Sequence, residues 1–171
     1  MKLMVEPLTH QAFAPFGDVV AADHEDRVAA AANLGTAERR DYLVDLVNAR
    51  PQAKLNVACF RCRPFAQPLR LSVLEKHPAS TQLFVPMTPG AFLVVVAEGD
   101  DEPRLETARA FLVEGGRGVA YAPGTWHHPM IALGGAIDFS CFVWEDGSPL
   151  DCVTTTLAEA LTVEFVGARS D

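Results

Sequence analysis

Two short segments of the chain contain side chains able to move protons or bind a metal ion. The first is the apolar stretch 69–77, which ends in Glu75, Lys76 and His77. The second carries His127 and His128 directly after a Pro-Gly turn and a Trp. Carboxylates and imidazoles are common general acids and bases, and both are ligands for divalent metals. The two segments therefore predict either proton transfer or metal binding.

Alternation along the first segment predicts where its polar side chains point. Leu69, Leu71 and Val73 occupy alternate positions of an extended stretch, so their face is the buried one. The same register places Glu75 and His77 on that face, where they need partners because unsatisfied buried polar groups are costly. The alternative is that the strand ends before these residues and leaves both in solvent. In the second segment the two adjacent histidines point to opposite sides, so one of them is expected to face inward.

The elements around these residues read as strands. Gly and Pro contribute 24 residues as punctuation between short runs rich in β-branched and aromatic residues. This pattern is typical of an all-β sandwich or barrel. Helical signals are confined to Asp23–Ala32 and Leu157–Val163. No linker or repeat interrupts the chain, so we expect a single domain over residues 1–171. The predicted strands are Leu55–Arg63, Leu69–His77, Leu83–Met87, Ala91–Ala97, Ala110–Val113, Val119–Ala122 and Ile137–Trp144.

Charge is unevenly distributed along the 171 residues. The formal net charge is −8, which gives no general attraction to nucleic acid or to an anionic membrane. Residues 98–106 carry a net −4 and residues 138–171 a net −6, whereas residues 39–76 carry a net +5. The basic middle segment is where a small anionic substrate would be held.

The N-terminal residues lack the basic start and apolar run of a signal peptide, and the longest apolar stretch, Ala91–Ala97, is too short to span a bilayer. The spacing of the four cysteines does not suggest a disulfide framework. Cys59 and Cys62 form a C-x-x-C, but on a strand they point to opposite faces, which is poor geometry for a shared metal. We expect a cytoplasmic protein with free thiols.

The two chemical segments resemble the two motifs of the cupin barrels. Pro123-Gly124-x-x-His127 after a Gly-led strand resembles the second motif. Glu75-x-His77-x4-Gln82 resembles the first, with Glu in place of its leading His and Gln in place of its Glu. The resemblance implies a cupin-like β-barrel or double-stranded β-sandwich with one or two short helices. It also implies that Glu75, His77, Gln82 and His127 line the barrel mouth, where they are the expected ligands of any divalent metal.

Longer strings are similar to the ureidoglycolate lyase family. They are LEKHPASTQLFVPM (74–87), residues 94–121, GTWHHPMIAL (124–133), Arg61, and Asn33-x-Gly35-x-x-Glu38-Arg39. The resemblance implies a homodimeric enzyme that splits ureidoglycolate into glyoxylate and urea in allantoin and purine breakdown, and an association with a divalent metal such as nickel. Departures from the family pattern at Arg40-Asp41-Tyr42, at 144–147 and at Asp151 leave room for another small ureido or α-hydroxy acid.

Residue roles follow from the chemistry of that substrate. Glu75, His77, Gln82 and His127 are the expected catalytic residues. Arg39 and Arg61 are candidates for the substrate carboxylate, which a guanidinium binds in a two-pronged fork. The matching motif adds Asn33 to this substrate-binding set. A non-catalytic cupin that binds a small carboxylate is the alternative from another class, and a metal-dependent cupin oxygenase or isomerase is a weaker third.

Overall fold

The fold is described from a computed structural model, which covers residues 1–165. The last six residues of the predicted domain, 166–171, lie outside this range. Within it, no helix is long and apolar enough to cross a membrane. The elements in chain order are β1 Lys2–Pro7, α1 His10–Phe13, β2 Gly17–Val20, β3 Ala30–Ala32, β4 Ala37–Arg39, β5 Lys54–Cys62, β6 Leu69–Lys76, β7 Gln82–Pro86, β8 Ala91–Ala97, β9 Arg109–Val113, β10 Gly118–Tyr121, β11 Trp126–His127, β12 Ile131–Leu133, β13 Ile137–Glu145 and β14 Val153–Glu164.

Two large sheets form the body of the protein. The first has the order β11-β6-β14-β1-β9-β8-β12, and a further pairing between β11 and β8 closes it into a barrel. The second has the order β2-β10-β7-β13-β5. Strand β1 runs parallel to both of its neighbours, whereas the other pairings in these two sheets are antiparallel. The predicted all-β barrel with a short helix is confirmed.

Strand β8 separates two hydrophobic cores. Its residues Phe92, Val94 and Val96 pack into an intersheet core, where rings from both sheets meet. The intervening Leu93 and Val95 pack into an inner core enclosed by the first sheet. A strand buried on both faces must be apolar at every position, which explains the uninterrupted run of apolar residues from 91 to 97.

The predicted strands are confirmed to within a residue or two, but both predicted helix positions are wrong. Residues 23–32 form turns and then enter β3. Because these residues are mostly exposed, too little apolar surface is buried to support a short helix, and isolated helices below about 12–15 residues are marginal in water. The segment Leu157–Val163 lies inside β14, where pairing with β6 and β1 and the β-branched residues around it override the helical preference of its Ala and Glu residues.

The alternation of side chains along β6 changes partway. Leu69 and Leu71 lie in the inner core, and Leu74 lies in a small cluster that shares neighbours with that core. Since Leu71 and Leu74 are three positions apart yet on one side, the alternation shifts by one residue between them. The pairing register of the facing strand β14 shifts at the same place. Glu75 and His77 therefore share the opposite face, and the prediction that they lie on the face of Leu69 and Leu71 is wrong.

Two surfaces of the protein expose apolar side chains to solvent. On the second sheet, the face turned away from the intersheet core carries apolar side chains on three neighbouring strands: Leu55, Val57, Leu83, Val85, Phe142 and Trp144. We call these residues the outer face. The second surface is the arm, residues 27–46, in which β3 and β4 pair only with each other. Its side chains Val28 and Tyr42 are 92% and 89% exposed.

A stacked pair of histidines makes stability depend on pH. The rings of His10 and His24 lie 3.3 Å apart, centroid to centroid. Burial lowers the pKa of His10, and the charge of His24 lowers it further. Below the ordinary imidazole pKa of about 6.5 the unfolded chain therefore binds a proton that the folded protein does not, so the free energy of unfolding falls as the pH falls.

We predict that His10→Gln reduces the loss of stability between pH 7.5 and pH 5.5, because the substitution removes one of the groups that take up a proton on unfolding. Urea denaturation of both proteins across this range measures the effect. Equal pH dependence in the two proteins would contradict the assignment to His10.

Candidate active site

Three of the sequence-predicted site residues meet between the two sheets. Strand β11 pairs with β6 so that His127 lies opposite Glu75, and His77 follows directly after β6. One ligand atom from each of these three residues lies within 4.8 Å of the other two. His127 Nε2 is 3.6 Å from Glu75 Oε1, and the rings of His77 and His127 stack with centroids 5.7 Å apart. We call these three residues the cluster.

The imidazole of His127 is fixed by the turn that precedes it. Its Nδ1 lies 2.9 Å from the carbonyl oxygen of Thr125. Its ring is 1% exposed and stacks on Tyr121, with centroids 3.9 Å apart and an interplanar angle of 8°. Gly124 has a φ of +83°, a conformation that favours glycine, and its N–H donates to the carbonyl of His77 at 3.0 Å. The Pro-Gly turn thus ties the two chemical segments together.

The imidazole of His77 is fixed by a distant part of the chain. Its Nδ1 lies 2.6 Å from the carbonyl oxygen of Asp151. Since a carbonyl oxygen only accepts hydrogen bonds, Nδ1 carries the proton in both His77 and His127 when these rings are neutral. Their Nε2 atoms then hold lone pairs, and both are buried without a hydrogen-bond partner among the described residues.

Gln82 adds a further buried acceptor beside the cluster. It lies on β7 opposite Tyr121, the residue whose ring covers His127. Its side chain faces the intersheet core, on the same side as Phe84, and its Oε1 is buried without a partner among the described residues. An unsatisfied buried polar atom costs about 1–3 kcal/mol. Three such atoms in one neighbourhood indicate a place where a ligand completes the hydrogen bonding or coordination.

Charge at the cluster favours an ionised Glu75. Burial alone would raise the pKa of its carboxyl, but the hydrogen bond from a protonated His127, with the positive charges of protonated His127 and His77, outweighs burial and lowers that pKa. Burial, followed by the charge of His127, lowers the pKa of His77. The second carboxylate oxygen, Oε2, is 3.8 Å from the thiol of Cys152. Burial and this carboxylate raise the pKa of Cys152 to about 11, so the thiol stays protonated at neutral pH.

These donors fit a divalent metal. Metal-binding histidines almost always donate one ring N–H to a backbone carbonyl or carboxylate and present the other nitrogen to the ion. Both cluster histidines have this arrangement, and Glu75 supplies a carboxylate. Two imidazoles and a carboxylate suit zinc and other first-row divalent ions. The three residues of the cluster are therefore a possible metal-binding triad.

The remaining predicted residues lie elsewhere in this chain. Asn33 and Arg39 are on the exposed arm, where Arg39 pairs with Asp41. Arg61 is on the outward side of β5 and binds Asp138 with a two-pronged contact, both distances being 2.8 Å. Among the described residues, no hydrogen bond or ion pair joins any of these three to the cluster. The structure thus brings together the acid–base residues and leaves the proposed carboxylate-binding residues apart from them.

Several contributors to the site are invisible to sequence motifs. The acceptors for the two histidines are main-chain carbonyls, which any residue type provides. Arg50, which holds the segment containing Asp151, stands alone in the sequence without a motif around it. Asp151 carries a sequence signal only as a departure from the family pattern, and Cys152 only as its neighbour. His128 is buried but outside the cluster, with its Nδ1 2.7 Å from the carbonyl of Pro129.

We predict that in the metal-free protein the neutral forms of His77 and His127 are both Nδ1–H tautomers. Each Nδ1 faces a carbonyl that can only accept a proton, so the other tautomer would place two acceptors together. Long-range ¹H–¹⁵N correlation spectra of the histidine side chains report the tautomer directly. An Nε2–H form at either ring would contradict the geometry.

Comparisons with known proteins show the family to which the chain belongs. The ureidoglycolate lyase family model matches residues 1–164. The ureidoglycolate lyase of Pseudomonas syringae pv. syringae (strain B728a) is 42% identical over 138 residues, which are 81% of this chain and 80% of that protein. The ureidoglycolate lyase of Azotobacter vinelandii (strain DJ / ATCC BAA-1303) is 40% identical over 131 residues, which are 77% of this chain and 78% of that protein.

A solved structure, of RmlC from Streptococcus suis in complex with dTDP-D-xylose, aligns with 72% of this chain and 63% of its own at a TM-score of 0.37 and 11% identity. Because the family model spans nearly the whole chain and the curated relatives are about as long as it is, the chain belongs to the ureidoglycolate lyase family.

Proposed function

We propose that the protein is a carbon–nitrogen lyase that cleaves ureidoglycolate to glyoxylate and urea in the breakdown of allantoin and purines. The observation that carries the proposal is the cluster itself, the carboxyl group of Glu75 facing two imidazoles whose Nε2 atoms have no hydrogen-bond partner among the described residues, in a chain of this family. The relatives' shared name supplies the substrate.

The reaction moves one proton and breaks one bond. Ureidoglycolate has a carbon that bears a hydroxyl, a carboxylate and the ureido nitrogen. Removing the hydroxyl proton lets the carbon–oxygen double bond form as the carbon–nitrogen bond breaks and its electron pair passes to nitrogen. Protonation of that nitrogen gives urea, and the carbon fragment is glyoxylate. No oxidant, reductant or water is consumed.

Glu75 is the residue we assign to this proton. Its lowered pKa keeps it ionised and able to accept the hydroxyl proton, and the neutral carboxyl so formed is an acid for the leaving nitrogen. The Nε2 atoms of His77 and His127 accept hydrogen bonds from the ureido N–H groups of the substrate, and this turns the substrate hydroxyl toward the carboxylate. The buried Gln82 amide contributes a further polar contact to the same region.

A divalent metal, with nickel as the ion that the family resemblance suggests, would be held by Glu75, His77, His127 and the amide oxygen of Gln82. When bound, such an ion polarises the substrate hydroxyl and lowers its pKa, as it does for bound water. The free Nε2 atoms support this assignment because each is presented by a ring whose Nδ1–H is already donated.

The substrate carboxylate requires a cation from outside this cluster. Among the described residues, Arg50 is bound to the 144–151 segment, and Lys76 donates to the carbonyl of Asp100. We assign the carboxylate to Arg39 of a partner subunit, with Asn33 beside it, because the arm that carries both extends from the body. Arg61, the other proposed carboxylate ligand, would first have to release Asp138.

A homodimer accounts for the two exposed apolar surfaces. Outward positions of an antiparallel sheet are usually polar, whereas the outer face is apolar across three strands. Large apolar patches on soluble proteins mark interaction sites. A two-stranded ribbon such as that of the arm is marginally stable alone and needs a surface to pack on. A two-fold pair of chains covers both surfaces by one symmetric contact.

We place the enzyme in the cytoplasm, where its four free cysteines would remain reduced.

We predict that Glu75→Gln lowers kcat for urea release from ureidoglycolate by about 10²–10⁴-fold, since it removes the general base. His77→Ala and His127→Ala should also abolish most turnover. Glu114→Gln, which changes an exposed acid on the same protein, is the control and should retain full activity. Coupled assays for urea and glyoxylate, with and without a chelator, measure reaction and metal dependence together. Tight substrate binding without turnover by the unmodified protein would instead identify a carboxylate-binding cupin.

We predict that Val57→Lys converts the dimer to a monomer, because it places a charge on the outer face, opposite Phe142. Light scattering coupled to size-exclusion chromatography gives the mass of each species. Met4→Lys, which changes an exposed methionine on the other sheet, is the matched control and should leave the dimer intact. A monomeric unmodified protein would overturn the assembly.

Sharing of sites between subunits has its own test. Arg39→Gln and Glu75→Gln are each expected to be nearly inactive alone. In mixed dimers, one site combines an intact Glu75 with an intact Arg39 from the partner. Refolding the two variants together should therefore restore up to about a quarter of wild-type activity, since half of the dimers are mixed and each has one complete site. No recovery on mixing would show that Arg39 acts within its own chain or not at all.

A further inference from the structure

Arg50 is a buried guanidinium that makes four hydrogen bonds to one loop. Its Nη1 donates to Asp146 Oδ1 at 2.8 Å and to Ser148 Oγ at 2.9 Å. Its Nη2 donates to the carbonyl of Trp144 at 3.0 Å and to Asp151 Oδ1 at 2.7 Å. All four acceptors belong to residues 144–151, which lead from the end of β13 to the start of β14. We call this segment the clamp loop.

Asp151 holds the clamp loop together through hydrogen bonds within the loop. Besides Arg50, its carboxylate accepts the N–H groups of Asp146 at 3.0 Å and of Gly147 at 2.7 Å. Burial would raise the pKa of Asp151, but these backbone bonds and the Arg50 guanidinium outweigh burial and lower it. The carboxylate is therefore ionised and anchored on three sides at neutral pH.

The main chain of Asp151 is in turn the support of His77. Its carbonyl oxygen accepts from Nδ1 of His77 at 2.6 Å, across 74 positions of sequence. Arg50 is thus linked to His77 through one intervening residue, Asp151, although its guanidinium makes no hydrogen bond to the cluster itself. His127 differs in this respect, because the carbonyl that holds it belongs to Thr125, two positions away in its own turn.

Arg50 is also fastened to the segment that follows His77. The N–H of Arg50 donates to the side chain of Asn48, which forms a bridge with Ser80. The N–H of Ala49 donates to the carbonyl of Ala79 at 2.8 Å. The side chain of Arg50 therefore binds the clamp loop, while the two residues before Arg50 are held against residues 79–80, shortly after His77.

We propose that Arg50 is a positioning residue of this site. It holds the carbonyl of Asp151 on Nδ1 of His77, and so fixes the His77 tautomer and the direction in which Nε2 enters the cluster. The consequence for catalysis rests on the proposed function, whereas the consequence for the His77 ring does not. A planar fork with several donors is needed to bind four acceptors at once, which a lysine ammonium does not provide.

The test reads the His77 ring rather than turnover. In long-range ¹H–¹⁵N spectra of the metal-free protein, Arg50→Gln and Asp151→Ala should each shift His77 from a single Nδ1–H tautomer to an averaged mixture. His127, held by Thr125, should be unchanged and reports that the site is still folded. Arg117→Gln, which removes a more exposed arginine paired with Asp23, is the control and should alter neither ring.

Further variants keep the proposal testable if Arg50→Gln does not fold. Arg50→Lys keeps the charge and loses the fork, and Ser148→Ala removes one clamp contact; both should shift His77 in the same direction by smaller amounts. Arg50→Lys and Asp151→Ala should be non-additive, because they break one connected path. Retention of the single Nδ1–H tautomer at His77 in folded Arg50 variants would overturn the proposal.

Activity then separates this proposal from the proposed function. If the protein is a ureidoglycolate lyase, losing the hydrogen bond between Asp151 and His77 should lower kcat by about 10–100-fold, with a smaller change in KM. Losses of this size are usual when a residue that orients a site histidine is replaced. If the unmodified protein releases no urea, the proposed function fails, while the spectra still decide the role of Arg50. A normal kcat in a variant whose His77 tautomer is averaged would contradict the importance of the positioning.

Discussion

A buried imidazole can be useful only if one of its nitrogens is held. Each neutral ring has one donor and one acceptor, and the partner of the donor decides which nitrogen keeps a lone pair. In this protein, main-chain carbonyls accept hydrogen bonds from Nδ1 of His77 and of His127. In the neutral rings both Nε2 atoms are therefore acceptors, and they lie near Glu75. Any proton transfer or metal binding by these two rings depends on this choice.

Closure of the first sheet supplies the second requirement, which is proximity. Strand β11 has only two residues, yet it pairs with β6 on one side and β8 on the other. That double pairing sets His127 opposite Glu75 and fixes the direction of its ring against Tyr121. Glu75 and His127 are thus a cross-strand pair of a closed barrel, whose backbone cannot slide without breaking hydrogen bonds on both sides.

The sequence alone predicts most of the strands and the residue types in the cluster. Runs of β-branched and aromatic residues between Gly and Pro locate most strands, and the motif resemblance singles out Glu75, His77, Gln82 and His127. Strict alternation misplaces the first pair relative to the leucines of β6, because a one-residue irregularity has no signature in residue type. The segment Leu157–Val163 is predicted as helix for a related reason, since the pairing of its last residues with β6 and β1 is a tertiary effect. The carbonyl groups that hold the two histidines cannot be predicted from residue type, because every residue has a carbonyl oxygen.

Strand β8, with one face in each hydrophobic core, has a consequence for how the molecule opens. Neither the barrel nor the second sheet can separate from the other without exposing Phe92, Val94 and Val96, and the inner core cannot loosen without freeing Leu93 and Val95. The two cores therefore unfold as one cooperative unit. The amide protons of β8 exchange with solvent only when the whole body opens, so the site keeps its shape until global unfolding and does not fray ahead of it.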